Sequence, residues 1–175
     1  MPLPVLVAYS TRTGSTADVA EAVAEVLRQA QLQVELARMQ ELKTFGQYRA
    51  AIVGAPLYMG GMPSEFHKFL ARNRMSLAAL PVWIFVLGPI ETKPEQFNTA
   101  GDQATKQLAR SPWLRPVEVK IVGGRFDVNR MPFPFSIARW LPAFPLKNIP
   151  VSDIRDWGDI RAWAAGVGRL IQPAA

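Results

Sequence analysis

Cysteine is absent from the chain and histidine occurs once, as His67. The first absence excludes disulfide scaffolds, thiolate nucleophiles, cysteine zinc sites and protein-held iron–sulfur clusters. The second leaves almost no material for histidine metal centres or Ser–His–Asp triads. Acidic residues are the minority charge, 14 against 20 Lys and Arg, which gives a net charge of +6 and a pI near 10.1. A basic surface favours anionic partners without choosing among nucleic acid, anionic lipid and acidic protein. No recognised nucleic-acid motif accompanies the charge, so a nucleic-acid partner is not expected. No apolar run approaches the roughly 18 residues of a membrane-spanning helix. The start, Met-Pro-Leu-Pro-Val-Leu-Val-Ala-Tyr, has no basic leader, and its apolar run is short and strand-like. No signal peptide is therefore expected, and the expected location is cytoplasmic. Two nucleotide loops are missing as well: there is no G-x-x-x-x-G-K-[ST] and no G-x-G-x-x-G.

What is present suits one domain with a real core: 175 residues, 49% hydrophobic and 19% charged. With so few reactive side chains, the chemistry falls to a bound group. Val5–Tyr9 reads as a buried strand. From Thr16 the period becomes helical, with Val19, Ala20, Val23, Val26, Leu27 and Ala30 on one face and Asp18, Glu21, Glu25 and Arg28 off it. Leu32, Val34 and Leu36 alternate as a second strand, and the polar residues 38–48 form a connection holding at most a short helix. Ala50–Ala55, ending at Pro56, is a third strand. Pro63 can open a helix that turns Phe66, Phe69 and Leu70 inward. Val82–Leu87 is a fourth strand, 94–110 a helix and Val117–Val122 a fifth strand. Asp156 caps a last helix with the stripe Ile160, Trp163, Ala164, Val167, Leu170 and Ile171. Apolar strands alternating with helices, without hairpin turns, predict a three-layer α/β domain around a parallel sheet.

Residues 110–150 break the pattern. They hold seven of the fifteen prolines, and seven basic against two acidic residues. Trp113, Phe126, Phe133, Phe135, Trp140 and Phe144 are interleaved with Arg115, Arg125, Arg130, Arg139 and Lys147. Long loops inside compact domains usually carry function, and this one is too aromatic for a disordered linker. Two readings stand: a surface that docks on a membrane, with aromatics at the interface and basic residues on anionic headgroups, or an insertion folded back on the sheet edge.

The most informative segment is Ser10-Thr11-Arg12-Thr13-Gly14-Ser15-Thr16, between the first strand and the first helix. It sets hydroxyls and backbone amides at a helix N-terminus, where the amide donors lack intrahelical partners and the dipole favours an anion. Gly14 lets the backbone close around such an anion without a Cβ in the way. The other reading is a turn and cap with no ligand.

Thr11-Arg12-Thr13-Gly14-Ser15-Thr16 resembles the T-x-T-G-x-T phosphate loop of flavodoxins. The likeness continues through Val53-Gly54-Ala55-Pro56-Leu57-Tyr58-Met59-Gly60 and Val86-Leu87-Gly88-Pro89-Ile90, which stand where the second and third flavin loops would be. The tail, Val122-Gly123-Gly124-Arg125-Phe126 and then Asp156-Trp157-Gly158-Asp159-Ile160-Arg161-Ala162-Trp163, is similar to the branch containing the flavodoxin-type, menaquinone-dependent protoporphyrinogen oxidases. The resemblance covers essentially the whole chain. It implies one flavodoxin-like domain over 1–175, doubly wound, with a five-stranded parallel sheet of order 2-1-3-4-5, an aromatic and basic insertion at 125–150, and FMN above the strand C-termini.

By that resemblance Ser10 to Thr16 would hold the FMN phosphate, with Arg12 either adding a charged contact or facing solvent. Tyr58 is the first candidate to stack on the flavin ring, with Met59 its competitor. Pro56 and Leu57 would contact the flavin as part of the second loop, Gly60 and Gly61 would either let backbone approach the flavin edge or make a simple turn, and Leu87, Gly88, Pro89 and Ile90 would form the opposite wall. The third loop has no aromatic residue in its first five, which would leave one flavin face open to a substrate or to residues of 125–150. His67 is expected on a helix surface, outside the chemistry. The implied activity is an FMN-dependent oxidoreductase that oxidises protoporphyrinogen IX with a quinone as acceptor. Alternatives are a one-electron flavodoxin-type carrier docking on a redox partner protein, an FMN-dependent NAD(P)H:quinone reductase, and an interaction module without flavin. The basic charge counts against the carrier, and the intact phosphate loop against the last.

Overall fold

A computed structural model describes residues 2–127 and 150–172. Five strands form one parallel sheet: β1 (Val5–Tyr9), β2 (Val34–Arg38), β3 (Ala50–Pro56), β4 (Val82–Leu87) and β5 (Glu118–Val122), in the order β2-β1-β3-β4-β5. The helices are α1 (Ser15–Gln29), α2 (Ser64–Arg72), α3 (Arg74–Ala78), α4 (Pro94–Leu108) and α5 (Trp157–Ile171). A two-stranded antiparallel ribbon, β6 (Arg125–Phe126) with β7 (Ser152–Asp153), follows β5.

The apolar strands become parallel because both sheet faces are covered. Along β1, Val5 and Val7 point to the face of α1 and α5, where they pack with Val23, Leu27, Phe85, Ile160 and Val167. Leu6 and Ala8 point the other way, toward α2, α3 and α4, and join Phe66, Phe69, Leu70, Leu77 and Ala104. β3 and β4 are buried throughout, whereas the edge strands β2 and β5 keep partly exposed residues. Gly54 is fixed by packing: a Cβ there would fall on the ring of Phe85, its neighbour in the β3–β4 register.

The expected strands agree in place and order with the five observed, and the helix starting near Thr16 begins at Ser15. Asp156 caps α5 as expected, its Oδ1 accepting from the Asp159 amide at 2.9 Å. Residues 39–49 hold turns and no helix, within the expected connection. α3 is additional to the sequence reading. Of the basic, aromatic segment, Phe133, Phe135, Trp140 and Phe144, with Arg130, Arg139 and Lys147, lie outside the described residues, so neither reading of it is decided. Its stem is described: the ribbon pairs Arg125 with Asp153 and Phe126 with Ser152.

Candidate functional site

The loops following β1, β3, β4 and β5 gather at one edge of the sheet. They surround the point where strand order reverses between β1 and β3, the location at which open α/β sheets take their ligands, flavodoxins among the standard cases.

The first loop is built to leave donors free. Gly14 is the N-cap of α1 in a left-handed conformation (φ 94°) and contributes no side-chain cap. Its amide donates to Thr11 Oγ1 at 3.0 Å, which tightens the turn. The first-turn amides of Ser15, Thr16 and Ala17 have no intrahelical acceptor by helix geometry. Ser10 and Thr16 are almost fully buried, yet Ser10 Oγ and Thr16 Oγ1 find no partner among the described residues. A buried hydroxyl left unpaired costs about 1–3 kcal/mol, so two in one loop single out this turn as a candidate ligand site. From β2, Arg38 Nη2 donates to the Thr11 carbonyl at 3.2 Å and braces the loop from behind.

The second loop is a tight reversal. The Tyr58 amide donates to the Gly61 carbonyl at 2.8 Å and the Gly61 amide to the Tyr58 carbonyl at 2.9 Å. Between them Met59 (φ 48°) and Gly60 (φ 80°) are both left-handed, the signature of a type I′ turn. Met59 pays for this position with no packing in return, being 96% exposed. The turn is held from α4, where Gln107 Nε2 donates to the Gly60 carbonyl at 3.4 Å. Arg12 lies over the Tyr58 ring, 5.5 Å from its centroid, and Thr13 Oγ1 stands 3.4 Å from the Tyr58 hydroxyl. The third loop is pinned by Gln96, whose Oε1 accepts from the amides of Ile90 and Glu91, each at 3.2 Å.

These loops enclose a cavity of about 420 Å³. Of the residues singled out from the sequence, Arg12, Thr13, Ser15, Pro56, Leu57, Tyr58, Met59, Gly61, Leu87, Gly88 and Ile90 line it. Ser10, Thr11, Gly14 and Thr16 lie just behind, in the loop itself. Gly60 and Pro89 face an adjacent cavity of about 300 Å³, on the α4 side of Met59. The structure adds Met62, Pro63, Gly124, Arg125 and Phe126 to the wall of the larger cavity. Arg125 and Phe126 thus reach the face that lacks an aromatic in the third loop. The Gly123-Gly124 pair ahead of them was the available signal, since two glycines at a strand C-terminus permit close approach. An added Cβ at Gly123 would strike the Ile154 carbonyl, and one at Gly124 would stand 3.0 Å from that of Pro89.

Arg155 was not legible in the sequence. Its side chain is 4% exposed. Nε and Nη2 donate to the two oxygens of Asp153 at 2.8 and 2.6 Å, and Nη1 donates to Asp18 Oδ2 at 2.8 Å and to the Ser15 carbonyl at 3.3 Å. The guanidinium lies over Trp157 at 4.7 Å. Hydrogen bonding to Arg155 holds the Asp153 carboxyl below the usual range against the opposing effect of burial. An Asp-x-Arg run before a helix reads like any solvated charge cluster, and only the tertiary fold carries it to the first turn of α1.

His67 sits on α2, half-buried, with Nε2 3.0 Å from Gln107 Oε1 and Nδ1 buried without a partner among the described residues. Burial lowers its pKa, opposed by Gln107 and reinforced by Arg110. It does not line either cavity. Among the described residues no group of His, Asp and Glu is placed to hold a metal, and no helix is long and apolar enough to cross a membrane.

A 2-1-3-4-5 sheet with a hydroxyl-rich loop at its switch point defines the flavodoxin-like class of α/β domains. Residues 6–134 match the Flavodoxin domain family, and the chain belongs to that family. It is 25% identical over 150 residues to "Protoporphyrinogen IX dehydrogenase [quinone]" of Escherichia coli K12, covering 84% of this chain and 78% of the relative. Among solved structures it is similar to a mutant flavodoxin from Pseudomonas aeruginosa, with a TM-score of 0.59, 18% identity, and 97% and 99% of the two chains covered. It is also similar to the rubredoxin oxygen:oxidoreductase of Desulfovibrio gigas, with a TM-score of 0.56 and 15% identity over 97% of this chain. There the chain spans only 36% of the larger protein.

Proposed function

We propose that the protein binds FMN in the larger cavity and oxidises protoporphyrinogen IX to protoporphyrin IX, with a quinone as electron acceptor. The observation that carries the flavin assignment is the pair of buried, unpartnered hydroxyls of Ser10 and Thr16 beside the open first turn of α1. Neutral donors converging at a helix N-terminus suit a phosphate monoester. The adjoining cavity wall, with Leu57, Tyr58, Ile90 and Phe126, suits a planar aromatic ring.

In this reading Ser10, Thr11, Thr13, Ser15 and Thr16 hold the phosphate, and Gly14 leaves room for it. Tyr58 and its surrounding turn form one wall of the ring site, and Leu87, Gly88, Pro89 and Ile90 the other. Phe126 and Arg125 stand where a second reactant would be received, the guanidinium offering a partner to a carboxylate. The bound flavin supplies the electron transfer; the protein supplies orientation, exclusion of water and electrostatics. The choice of porphyrinogen and quinone rests on the E. coli relative named above. Contact of the basic segment with a membrane surface belongs to the same proposal, because a lipid-soluble quinone partitions there.

The test is purification, flavin identification by absorbance and extraction, anaerobic reduction, and reoxidation by a menaquinone analogue, followed by protoporphyrinogen turnover read as porphyrin fluorescence. Absence of bound flavin, even after FMN addition, would overturn the cofactor assignment. A flavoprotein that transfers electrons to the quinone analogue but leaves protoporphyrinogen unchanged would overturn the substrate.

A further inference from the structure

We propose that Arg155 is a positioning residue for the phosphate end of the site, the shared counter-ion that lets the first turn of α1 receive a dianion. The inference rests on the FMN reading above and concerns only how this chain makes room for the charge.

Asp18 creates the problem. It lies in the first turn of α1, where a carboxylate favours the helix by meeting the positive end of its dipole. A phosphate bound at the same terminus uses the same field, and the two anions repel. Asp153, brought alongside by the β6–β7 ribbon, adds a second carboxylate. Arg155 meets both, Asp153 through a fork of two bonds and Asp18 through Nη1. The Arg155 side chain is 4% exposed while those of Asp18 and Asp153 keep 48% and 39%, so water screens the carboxylates in part and the geometry of the fork, not burial alone, fixes the pairing.

The guanidinium also acts on the peptide link itself. Nη1 donates to the Ser15 carbonyl at 3.3 Å. That carbonyl shares a rigid trans plane with the Thr16 amide, which points the opposite way, toward the loop mouth. A positive charge on the carbonyl side fixes the plane and polarises the amide as a donor. Arg155 is not itself a lining residue of the cavity, and its contacts run to Asp18 and to the carbonyl of Ser15, so its effect reaches the ligand through that carboxylate and this peptide. Arg12, by contrast, lies over Tyr58 on the ring side.

The proposal separates the phosphate from the rest of the flavin, and the experiment does the same. Apoprotein is titrated with FMN and with riboflavin, following the quenching of flavin fluorescence, for wild type, Arg155→Met, Arg155→Lys, Asp18→Asn and the Arg155→Met/Asp18→Asn double variant. Arg155→Met is expected to weaken FMN by about tenfold, the scale of a partly buried charge at a helix terminus, while riboflavin changes less than about twofold. Asp18→Asn in that background is expected to recover most of the loss, and Arg155→Lys to fall between. Equal weakening of both flavins without rescue by Asp18→Asn would show a structural brace only and overturn the proposal. Unchanged FMN affinity in Arg155→Met would overturn it as well. If Arg155→Met does not fold, Asp18→Asn alone decides: FMN about twofold to threefold tighter with riboflavin unchanged supports the repulsion, and no difference removes it. Wild type that takes up neither flavin would bring down the FMN reading and this proposal together.

Discussion

The hydroxyls of Thr13 and Tyr58, 45 positions apart in sequence, stand 3.4 Å from each other across the mouth of the cavity. The loop after β1 and the loop after β3 therefore meet directly. Tyr58→Phe removes that contact and keeps the ring, whereas Tyr58→Ala removes both. Under the proposed function, Tyr58→Phe should bind FMN within a fewfold of wild type and keep the flavin fluorescence quenched. Tyr58→Ala should lose roughly 1–2 kcal/mol of flavin affinity, the range of an aromatic contact plus its buried area, and leave the flavin brighter. Titration fluorimetry reads both.

Gly14 tests the first loop without touching a hydroxyl. Space around its Cα is open, so the strain of a substituent comes from the positive φ alone. Gly14→Ala should lower stability by about 1–2 kcal/mol, measured by urea unfolding, and Gly14→Val should also reduce flavin uptake.

Met59 offers the opposite experiment. It occupies a left-handed position while burying almost nothing. Asn tolerates that conformation and precedes Gly in the most favoured type I′ turns. Met59→Asn should therefore raise stability by about 0.5–1 kcal/mol, visible as a higher urea midpoint with an unchanged slope. Unchanged or lower stability would mean that the left-handed position costs methionine nothing here.

The single histidine makes a clean titration, because one imidazole resonance reports one site. Burial pushes His67 below its ordinary 6.5. The neutral ring is thus the form the fold prefers, so its stabilising contribution is complete above about pH 6.5 and fades as pH falls through the lowered folded value. NMR should give a midpoint below 6.5, and Gln107→Leu, which removes the partner that opposes the shift, should lower it further.

Most of the fold was legible because burial on both faces writes itself into composition. β1 and β4 coincide with the apolar runs Val5–Tyr9 and Val82–Leu87, and α5 begins where Asp156 announces a cap. α3 escaped because five residues with only Leu77 buried are too few to show a period. β6 and β7 escaped because two-residue strands have no alternation to read. At the site, the hydroxyl-rich loop was visible from residue types alone. The left-handed Met59 was not, since methionine carries no turn preference. Arg155 lies 137 residues beyond Asp18, and no local pattern links them.

Phe126 and Ser152 face each other in the ribbon, so the chain departs from the cavity rim and returns to the same spot. β5 has ended at Val122 before this departure, and α5 starts at Trp157 only after the return. Among the described residues, every rung of the parallel sheet lies before this departure. The five-stranded sheet is therefore complete before the chain leaves the cavity rim, and the chain comes back to that rim before the last helix begins. A graft between relatives should be cut at these two residues, which leaves every described rung of the sheet in place.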